Sequence, residues 1–323
     1  MSGEGAAWAA YWTGASGDDA AVRSPESAAR LDGYWAETLA GFVQGRSNLD
    51  HLELACGSGA VTRALVAAAG AAEVELPRLV CSDYALTAVS QAVKTVPDAC
   101  PAGAVADAAR PPFRPESFDL VTSQFGIEYA GLTAFTAALP MLKPGGALIA
   151  LVHIADGPIA AECRANLDLL EAAHEADLVA GMVRLLRMAR KVDGGGGNAS
   201  ALARQEAALS NDINALRQKV LAAPQGPARD LMQRLIQDMV TLYQRRQAYA
   251  PQDADGWLQH QAAELDTYAA RMRSMLDAAL GEGEIEVLRE AAAQAGEFTL
   301  EVGRLAFEEG GPACAWTIEI GRA

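Results

Sequence analysis

The fold is decided by a glycine-rich stretch, Leu52-Glu53-Leu54-Ala55-Cys56-Gly57-Ser58-Gly59, which we call the glycine turn. It ends an apolar, strand-like run, and the Ala-rich, helix-like residues 60–69 follow it directly. Glycines at a strand-to-helix turn allow a ligand to approach bare backbone N–H groups at the positive end of the helix. The stretch therefore predicts a ligand site at the start of a β-α unit, although a similar turn can also be a plain tight connection.

Short apolar runs alternate with Ala-rich helical stretches as far as residue 155. This alternation is typical of a parallel sheet covered by helices on both faces. Strands are predicted near residues 50–55, 78–83, 103–107, 118–123 and 146–153. Near the C-terminus, a helix at 285–295 and two alternating segments, 298–307 and 313–320, predict a final helix and a β-hairpin.

Residues 156–280 interrupt the alternation with a predicted all-helical insertion. Helical periodicity runs through four segments, with breaks expected at 193–198, 224–227 and 251–256. The second segment carries an apolar stripe at helical spacing, made of Leu202, Leu209, Ile213, Leu216 and Val220. The predicted domains are 1–155 with 281–323, and the insertion. The insertion is interpreted as a lid, a homodimerisation element or an ordinary packed subdomain.

Composition argues against several classes of protein. The 323 residues carry 26 Lys+Arg and 41 Asp+Glu, a net charge of −15 that disfavours nucleic acid as a partner. The five cysteines include no C-x-x-C pair, so neither a zinc site nor a disulfide scaffold is indicated. No secretory signal and no membrane-length apolar run is visible, so we expect a cytoplasmic protein without a membrane partner.

Polar residues follow the ends of the predicted strands. Asp83 ends the second strand, where a carboxylate can accept both hydroxyls of a ribose. Asp107 ends the third strand, where a carboxylate can accept an adenine amino group. The fourth strand runs into Ser123-Gln124-Phe125-Gly126, and Lys143-Pro144-Gly145-Gly146 introduces the fifth. In isolation Asp83 is equally compatible with a solvated loop carboxylate.

In this order the features resemble the class I S-adenosylmethionine-dependent methyltransferases. The family's acidic-x-Gly-x-Gly-x-Gly motif appears here as Glu53, Ala55, Gly57 and Gly59, with alanine replacing the first glycine. The resemblance covers residues 30–155 and 284–323 but not the insertion. It implies an α/β, Rossmann-like seven-stranded sheet of order 3-2-1-4-5-7-6, with strand seven antiparallel and the insertion after strand five. A nicotinamide-binding Rossmann domain is the competing interpretation, and the terminal hairpin and the Lys-Pro-Gly-Gly turn disfavour it.

The resemblance also implies a cofactor, S-adenosylmethionine, lying over the ends of strands one to four. Asp83 would contact the ribose, Asp107 and Ala108 the adenine, and the glycine turn the methionine part. The residues implied to bind the cofactor are Glu53, Ala55, Gly57, Gly59, Asp83, Asp107, Ala108, Ser123 and Gln124.

The acceptor side rests on residues near the ends of strands four and five. Methyl transfer is an in-line displacement that requires a held nucleophile, excluded water and often a base. The candidate catalytic residues are His153, Glu128 and Tyr129, and the candidate substrate or lid residues are Tyr11, Trp12 and Phe125. His153 could equally cap a buried strand end, and Glu128 and Tyr129 could belong to a plain loop-to-helix junction.

These features predict an enzyme that methylates an oxygen or nitrogen of a small molecule or short peptide. The Asn/Asp-Pro-Pro-Tyr/Phe sequence of amino-methylating DNA and glutamine enzymes is absent, because residues 123–126 occupy its place. No acidic cluster has evident metal spacing, so no metal is predicted. The alternative is a non-catalytic S-adenosylmethionine-binding protein whose helical insertion holds a partner.

Overall fold

The computed structural model describes residues 25–323, and this part of the chain contains a seven-stranded sheet. The strand order is β3-β2-β1-β4-β5-β7-β6; β7 is antiparallel to both of its neighbours, and the pairs among β1–β5 are parallel. The predicted sheet order is therefore confirmed. The strands are β1 (Asp50–Leu54), β2 (Arg78–Asp83), β3 (Ala102–Val105), β4 (Phe118–Gln124), β5 (Leu142–His153), β6 (Phe298–Ala306) and β7 (Ala313–Arg322).

Helices flank the sheet on both faces: α1 (Pro25–Val43), α2 (Ala60–Ala71), α3 (Leu86–Thr95), α4 (Leu132–Ala138) and, after the insertion, α10 (Glu282–Ala295). Strand β5 has an uninterrupted apolar run because both of its faces are buried. Leu148, Ala150 and Val152 join the core that includes α4 and α10, whereas the alternate residues of β5 join the core that includes α1 and α2. Because side chains alternate across a strand, a strand buried on both faces is apolar throughout.

The insertion contains five helices: α5 (Pro158–Glu175), α6 (Leu178–Asp193), α7 (Ala199–Ala222), α8 (Pro227–Gln244) and α9 (Pro251–Ala278). Most of it, Glu162–Arg273, is one of two compact units of the chain, and the sheet belongs to the other. The predicted apolar stripe of α7 is buried, and Leu209 packs so closely on Gly181 of α6 that a β-carbon there would lie 3.0 Å from Leu209 Cδ1. None of the described helices has the length and apolar content to cross a lipid bilayer.

Four boundaries differ from the sequence-based expectation. The first predicted helical segment is two helices, α5 and α6, divided at Ala176 and Asp177, and Asp177 has a left-handed φ of 46°. The expected break at 251–256 is the first turn of α9, because proline at the first helical position fits the φ that a helix requires. β5 begins at Leu142, so its Lys-Pro-Gly-Gly turn lies within the strand, and β3 ends at Val105.

The two ends of the insertion meet at the end of β5. The backbone N–H of Leu280 donates to the carbonyl of His153 (2.8 Å), and that of Ala155 donates to the carbonyl of Leu280 (3.0 Å). The indole Nε1 of Trp316 on β7 donates to the same carbonyl of Leu280 (2.8 Å). The chain therefore leaves the sheet after β5 and returns to it at the same point, where these hydrogen bonds join the two ends of the insertion.

Candidate functional site

A buried carboxylate at the start of the glycine turn is hydrogen-bonded to the helix that follows it. Glu53, 2% exposed, accepts hydrogen bonds from the backbone N–H groups of Val61 (3.1 Å) and Thr62 (2.9 Å) in the first turn of α2. Burial raises its pKa, and these hydrogen bonds oppose that rise. Both carboxylate oxygens are thus hydrogen-bonded to the N-terminus of α2. Glu53 therefore stabilises the conformation of the turn from a buried position.

The backbone of the turn adopts left-handed conformations at three of its residues. φ is 49° at Ala55, 50° at Gly57 and 78° at Gly59. Glycine adopts this region freely, whereas alanine does so at a cost of about 1 kcal/mol. Ala55, which replaces a glycine of the family motif, therefore retains the backbone conformation that a glycine would favour.

Asp83 ties the end of β2 to the glycine turn. Its Oδ2 accepts from the backbone N–H of Gly57 (3.0 Å), and its Oδ1 accepts from that of Ala85 (2.8 Å). Burial raises the pKa of this carboxyl group. Asp107 is exposed, and its Oδ1 accepts from the backbone N–H of Ala109 (2.9 Å). Its neighbour Ala108 packs against the core. Carboxylates thus follow two adjacent parallel strands at the same sheet edge as the turn.

These groups fit S-adenosylmethionine. Carboxylates can accept hydrogen bonds from ribose hydroxyls and an adenine amino group, and the glycine turn places backbone at the N-terminus of α2. The loop after β1 and the loop after β4 approach each other closely at this edge. A β-carbon on Gly126 would lie 2.6 Å from the Cβ of Ala55 and 2.7 Å from its carbonyl oxygen. Gly126 was not among the predicted site residues, and its role is visible only from this approach.

Ser123 and Gln124 end β4 differently. The Ser123 hydroxyl is buried and accepts from the backbone N–H of Ile127 (3.0 Å), which stabilises the turn that follows β4. Gln124 is half-buried, and its Oε1 accepts from the indole Nε1 of Trp35 in α1. Trp35 is buried, and its hydrogen bond across 89 positions has no sequence signal.

A buried histidine–glutamate pair lies where β5 ends. His153, 3% exposed, is the last residue of β5, and Glu128, 2% exposed, belongs to the short 3-10 turn Ile127–Ala130. Glu128 Oε1 lies 2.8 Å from His153 Nδ1 and also accepts from the His153 backbone N–H (3.2 Å). Among the residues that the structure describes, His153 Nε2 has no hydrogen-bond partner. An imidazole nitrogen is therefore buried without a partner beside a carboxylate that fixes the ring.

Two aromatic residues surround this ring. The Phe125 ring is tilted over it with 4.6 Å between centroids, and Tyr129 approaches edge-on at 6.0 Å. The backbone of Phe125 is in the left-handed region, with a φ of 50°. The candidate catalytic residues and Phe125 are thus brought together, whereas Tyr11 and Trp12 lie outside the described residues. Within residues 25–323, no three His, Cys, Asp or Glu side chains are grouped so that they could hold a metal ion.

Comparison with known proteins gives a family match for part of the chain. Residues 52–150 match a family model described as a methyltransferase domain, and no curated protein matches the chain. A putative methyltransferase from Bacillus halodurans is 22% identical, with a TM-score of 0.32 over 38% of this chain and 52% of that one. A SAM-dependent methyltransferase from Aquifex aeolicus is 16% identical, with a TM-score of 0.33 over 41% and 70%.

A further solved structure matches along almost the whole chain. It is the plantazolicin methyltransferase BpumL in complex with SAH, at 9% identity and a TM-score of 0.49, over 99% of this chain and 95% of that one. For several other matched structures, this chain spans between 47% and 62% of their length. From the motifs, the sheet order and the domain match together, residues 52–150 form a methyltransferase domain of the class I S-adenosylmethionine-dependent type, with S-adenosylmethionine as the cofactor.

Proposed function

We propose that the chain is an enzyme that transfers a methyl group to an oxygen or nitrogen of a small molecule or short peptide, without a metal ion. The observation that carries this proposal is the His153–Glu128 pair, whose Nδ1–Oε1 distance is 2.8 Å at the end of β5. A base is needed when the acceptor is a hydroxyl or a protonated amine, because such a nucleophile must lose a proton.

The pair is arranged to accept that proton. A carboxylate oxygen can only accept, so with Glu128 as a carboxylate the proton of a neutral His153 ring is on Nδ1 and the lone pair on Nε2. Nε2 has no partner among the described residues, and a buried polar atom without a partner is costly unless a ligand or water satisfies it. When Nε2 takes the acceptor's proton, the Glu128 carboxylate stabilises the resulting imidazolium. Glu128 is therefore a positioning residue and His153 the base.

The cofactor, when bound, supplies an electrophilic methyl group on its sulfonium sulfur. For this chain, Asp83 is proposed to bind the ribose, and Asp107 with Ala108 the adenine. The backbone of Ala55, Gly57 and Gly59 is proposed to meet the methionine part. Glu53 and Ser123 support these loops through the backbone hydrogen bonds described above, and Gln124 orients its amide through Trp35.

The helical insertion is proposed to cover the acceptor, to join two copies of the chain, or to do both. Its two ends are hydrogen-bonded beside His153, so it begins and ends next to the proposed base. Tyr11, Trp12 and Phe125 remain proposed substrate or lid residues, and Tyr129 remains a proposed catalytic residue beside His153. The net charge of −15 supports an acceptor that is not a polyanion.

The test is release of S-adenosylhomocysteine when the protein and S-adenosylmethionine are mixed with a pooled extract of metabolites and peptides. His153→Asn should lower turnover by a factor of about 10² to 10⁴, the usual contribution of a general base. Glu128→Gln keeps an oxygen facing Nδ1 and should lower turnover less. Both variants should bind S-adenosylhomocysteine as the parent does in calorimetry. Full turnover in His153→Asn would rule out its role as base.

A second function is favoured by one observation, the near-complete burial of His153. In this alternative, the pair is structural and the chain binds S-adenosylmethionine without turnover while the insertion holds a partner. Binding of S-adenosylhomocysteine with no product from any acceptor pool would favour the alternative. In that case His153→Asn should lower the unfolding temperature, since it would remove a buried hydrogen bond to a charged group.

A further inference from the structure

Two buried cysteines lie beneath the cofactor turn. Cys56 belongs to the glycine turn and Cys81 to β2, and their side chains pack together with Ala92. The backbone N–H of Cys56 donates to the carbonyl of Ser82 (3.0 Å), which places Cys56 beside the residue that follows Cys81. Cys56 is 5% exposed and Cys81 is fully buried. Both thiols are free.

The backbone around Cys56 is part of the proposed cofactor contact. The Cys56 carbonyl accepts from the N–H of Gly59 (2.7 Å), and the next residue, Gly57, donates to Asp83 Oδ2 (3.0 Å). The backbone N–H groups of Cys56, Gly57 and Gly59 are all engaged in hydrogen bonds, so this segment cannot move without breaking some of them. A displacement of Cys56 must therefore move the turn and the carboxylate expected to bind the ribose.

The two thiols also influence each other chemically. The neighbouring Cys56 side chain lowers the pKa of the Cys81 thiol, whereas Cys81 together with burial raises the pKa of the Cys56 thiol. The hydroxyl of Thr62 lies 3.4 Å from the Cys81 sulfur and adds a second polar contact. Cys81 is therefore the thiol of the pair that loses its proton more readily, and it lies next to a second thiol that can react with an oxidised sulfur.

We propose that Cys56 and Cys81 form a reversible oxidation site at which peroxide produces a disulfide that weakens cofactor binding. Peroxide oxidises one sulfur to a sulfenic acid and is reduced to water, and the second thiol then attacks that sulfur and releases another water. The pair loses two electrons and both thiol protons, which convert one peroxide molecule to two of water. An S–S bond of about 2.05 Å is much shorter than a van der Waals contact between sulfurs, so its formation pulls Cys56 toward β2.

The experiment uses the full chain with Cys100→Ser, which removes an exposed thiol that would otherwise cross-link molecules. This parent is treated with hydrogen peroxide and digested with trypsin without reductant, and the peptides 47–63 and 79–94 should be joined. Calorimetry should show at least a tenfold loss of affinity for S-adenosylhomocysteine, about 1.4 kcal/mol, and dithiothreitol should restore it. Prior saturation with S-adenosylhomocysteine should slow the cross-link.

Two variants of this parent separate a disulfide from other oxidation. Cys81→Ala should keep its own affinity after peroxide treatment, and Cys314→Ala, which removes a buried thiol of β7, should respond as the parent does. Absence of the joined peptides, joined peptides with unchanged affinity, or an equal loss of affinity in Cys81→Ala would each overturn the proposal. These readouts are binding and covalent linkage, so they do not depend on the proposed acceptor chemistry.

Discussion

Gly126 shows how one residue constrains the cofactor edge of the sheet. A β-carbon there would lie 2.6 Å from the Cβ of Ala55 and 2.7 Å from its carbonyl oxygen, and neither group is at the end of a flexible side chain. Ala55 already occupies the space that a glycine at position 55 would leave empty. The small residues at positions 55 and 126 are therefore coupled.

We expect Gly126→Ala to destabilise the protein by about 1–3 kcal/mol, the usual cost of overpacking. Affinity for S-adenosylhomocysteine should also fall at least tenfold, because the clash displaces the glycine turn. Thermal unfolding and calorimetry measure the two effects. Gly41→Ala in α1 is the matched control, since nothing lies within 4 Å of its β-carbon position. The double variant Ala55→Gly/Gly126→Ala should recover part of the loss, and full retention of stability in Gly126→Ala alone would contradict the coupling.

His51 gives a prediction on pH. It is fully buried in β1, its Nε2 lies 2.8 Å from Thr122 Oγ1, and burial lowers its pKa to about 3. The unfolded chain has a histidine pKa of about 6.5, so the unfolded state binds a proton first as the pH falls. Stability is therefore lost below pH 6.5. At pH 5 the loss is about 2 kcal/mol, from 1.5 pH units at 1.36 kcal/mol each.

Denaturant unfolding at pH 7.5 and pH 5 tests this. His51→Gln can still bond to Thr122 but does not titrate, so its free energy of unfolding should fall less between the two pH values than that of the parent. The buried Glu53 and Asp83, whose pKa values are raised, contribute the opposite trend equally in both proteins. Identical pH dependence in the two proteins would show that His51 is not the group responsible.

At the scale of elements, the sequence predicts what depends on local patterns. The runs of β1 and β2 are apolar and bounded by turn residues, so their limits were predicted to within one or two residues. The order of the sheet came from the motif resemblance, because strand pairing across long separations has no local signal. The start of α9 was missed because Pro251 followed by polar residues is typical of a loop as well as of a helix N-terminus.

The candidate site also has a part that local sequence patterns predict and a part that they do not. Asp83, Asp107 and the glycine turn were identified from their positions after strands, and the structure places them at one sheet edge. The partnership of His153 with Glu128 and that of Trp35 with Gln124 depend on side chains brought together across 25 and 89 positions. Such contacts arise from the packing of the whole sheet, so one sequence can nominate the residues but not their pairing.

At the scale of the whole molecule, charge and connectivity separate the two parts of the chain. Residues 156–280 carry 14 Lys+Arg and 16 Asp+Glu, so the net charge of −15 belongs almost entirely to the rest. The insertion is joined to the sheet through Ala155 and Leu280, which are hydrogen-bonded to each other at 3.0 Å. Since its ends already meet, the insertion can be replaced by a short linker without stretching the chain.

We therefore expect a variant in which a short Gly-Ser linker replaces residues 158–278 to keep the sheet and its cofactor site. Its affinity for S-adenosylhomocysteine should stay within tenfold of the parent value, about 1.4 kcal/mol, because every proposed cofactor residue is outside the insertion. Turnover should be abolished if the insertion encloses the acceptor, since methyl transfer needs water excluded. Retained turnover in a folded variant would refute the lid, whereas a monomeric mass of the parent by light scattering would refute the assembly role. Circular dichroism of the variant separates loss of the lid from loss of the fold.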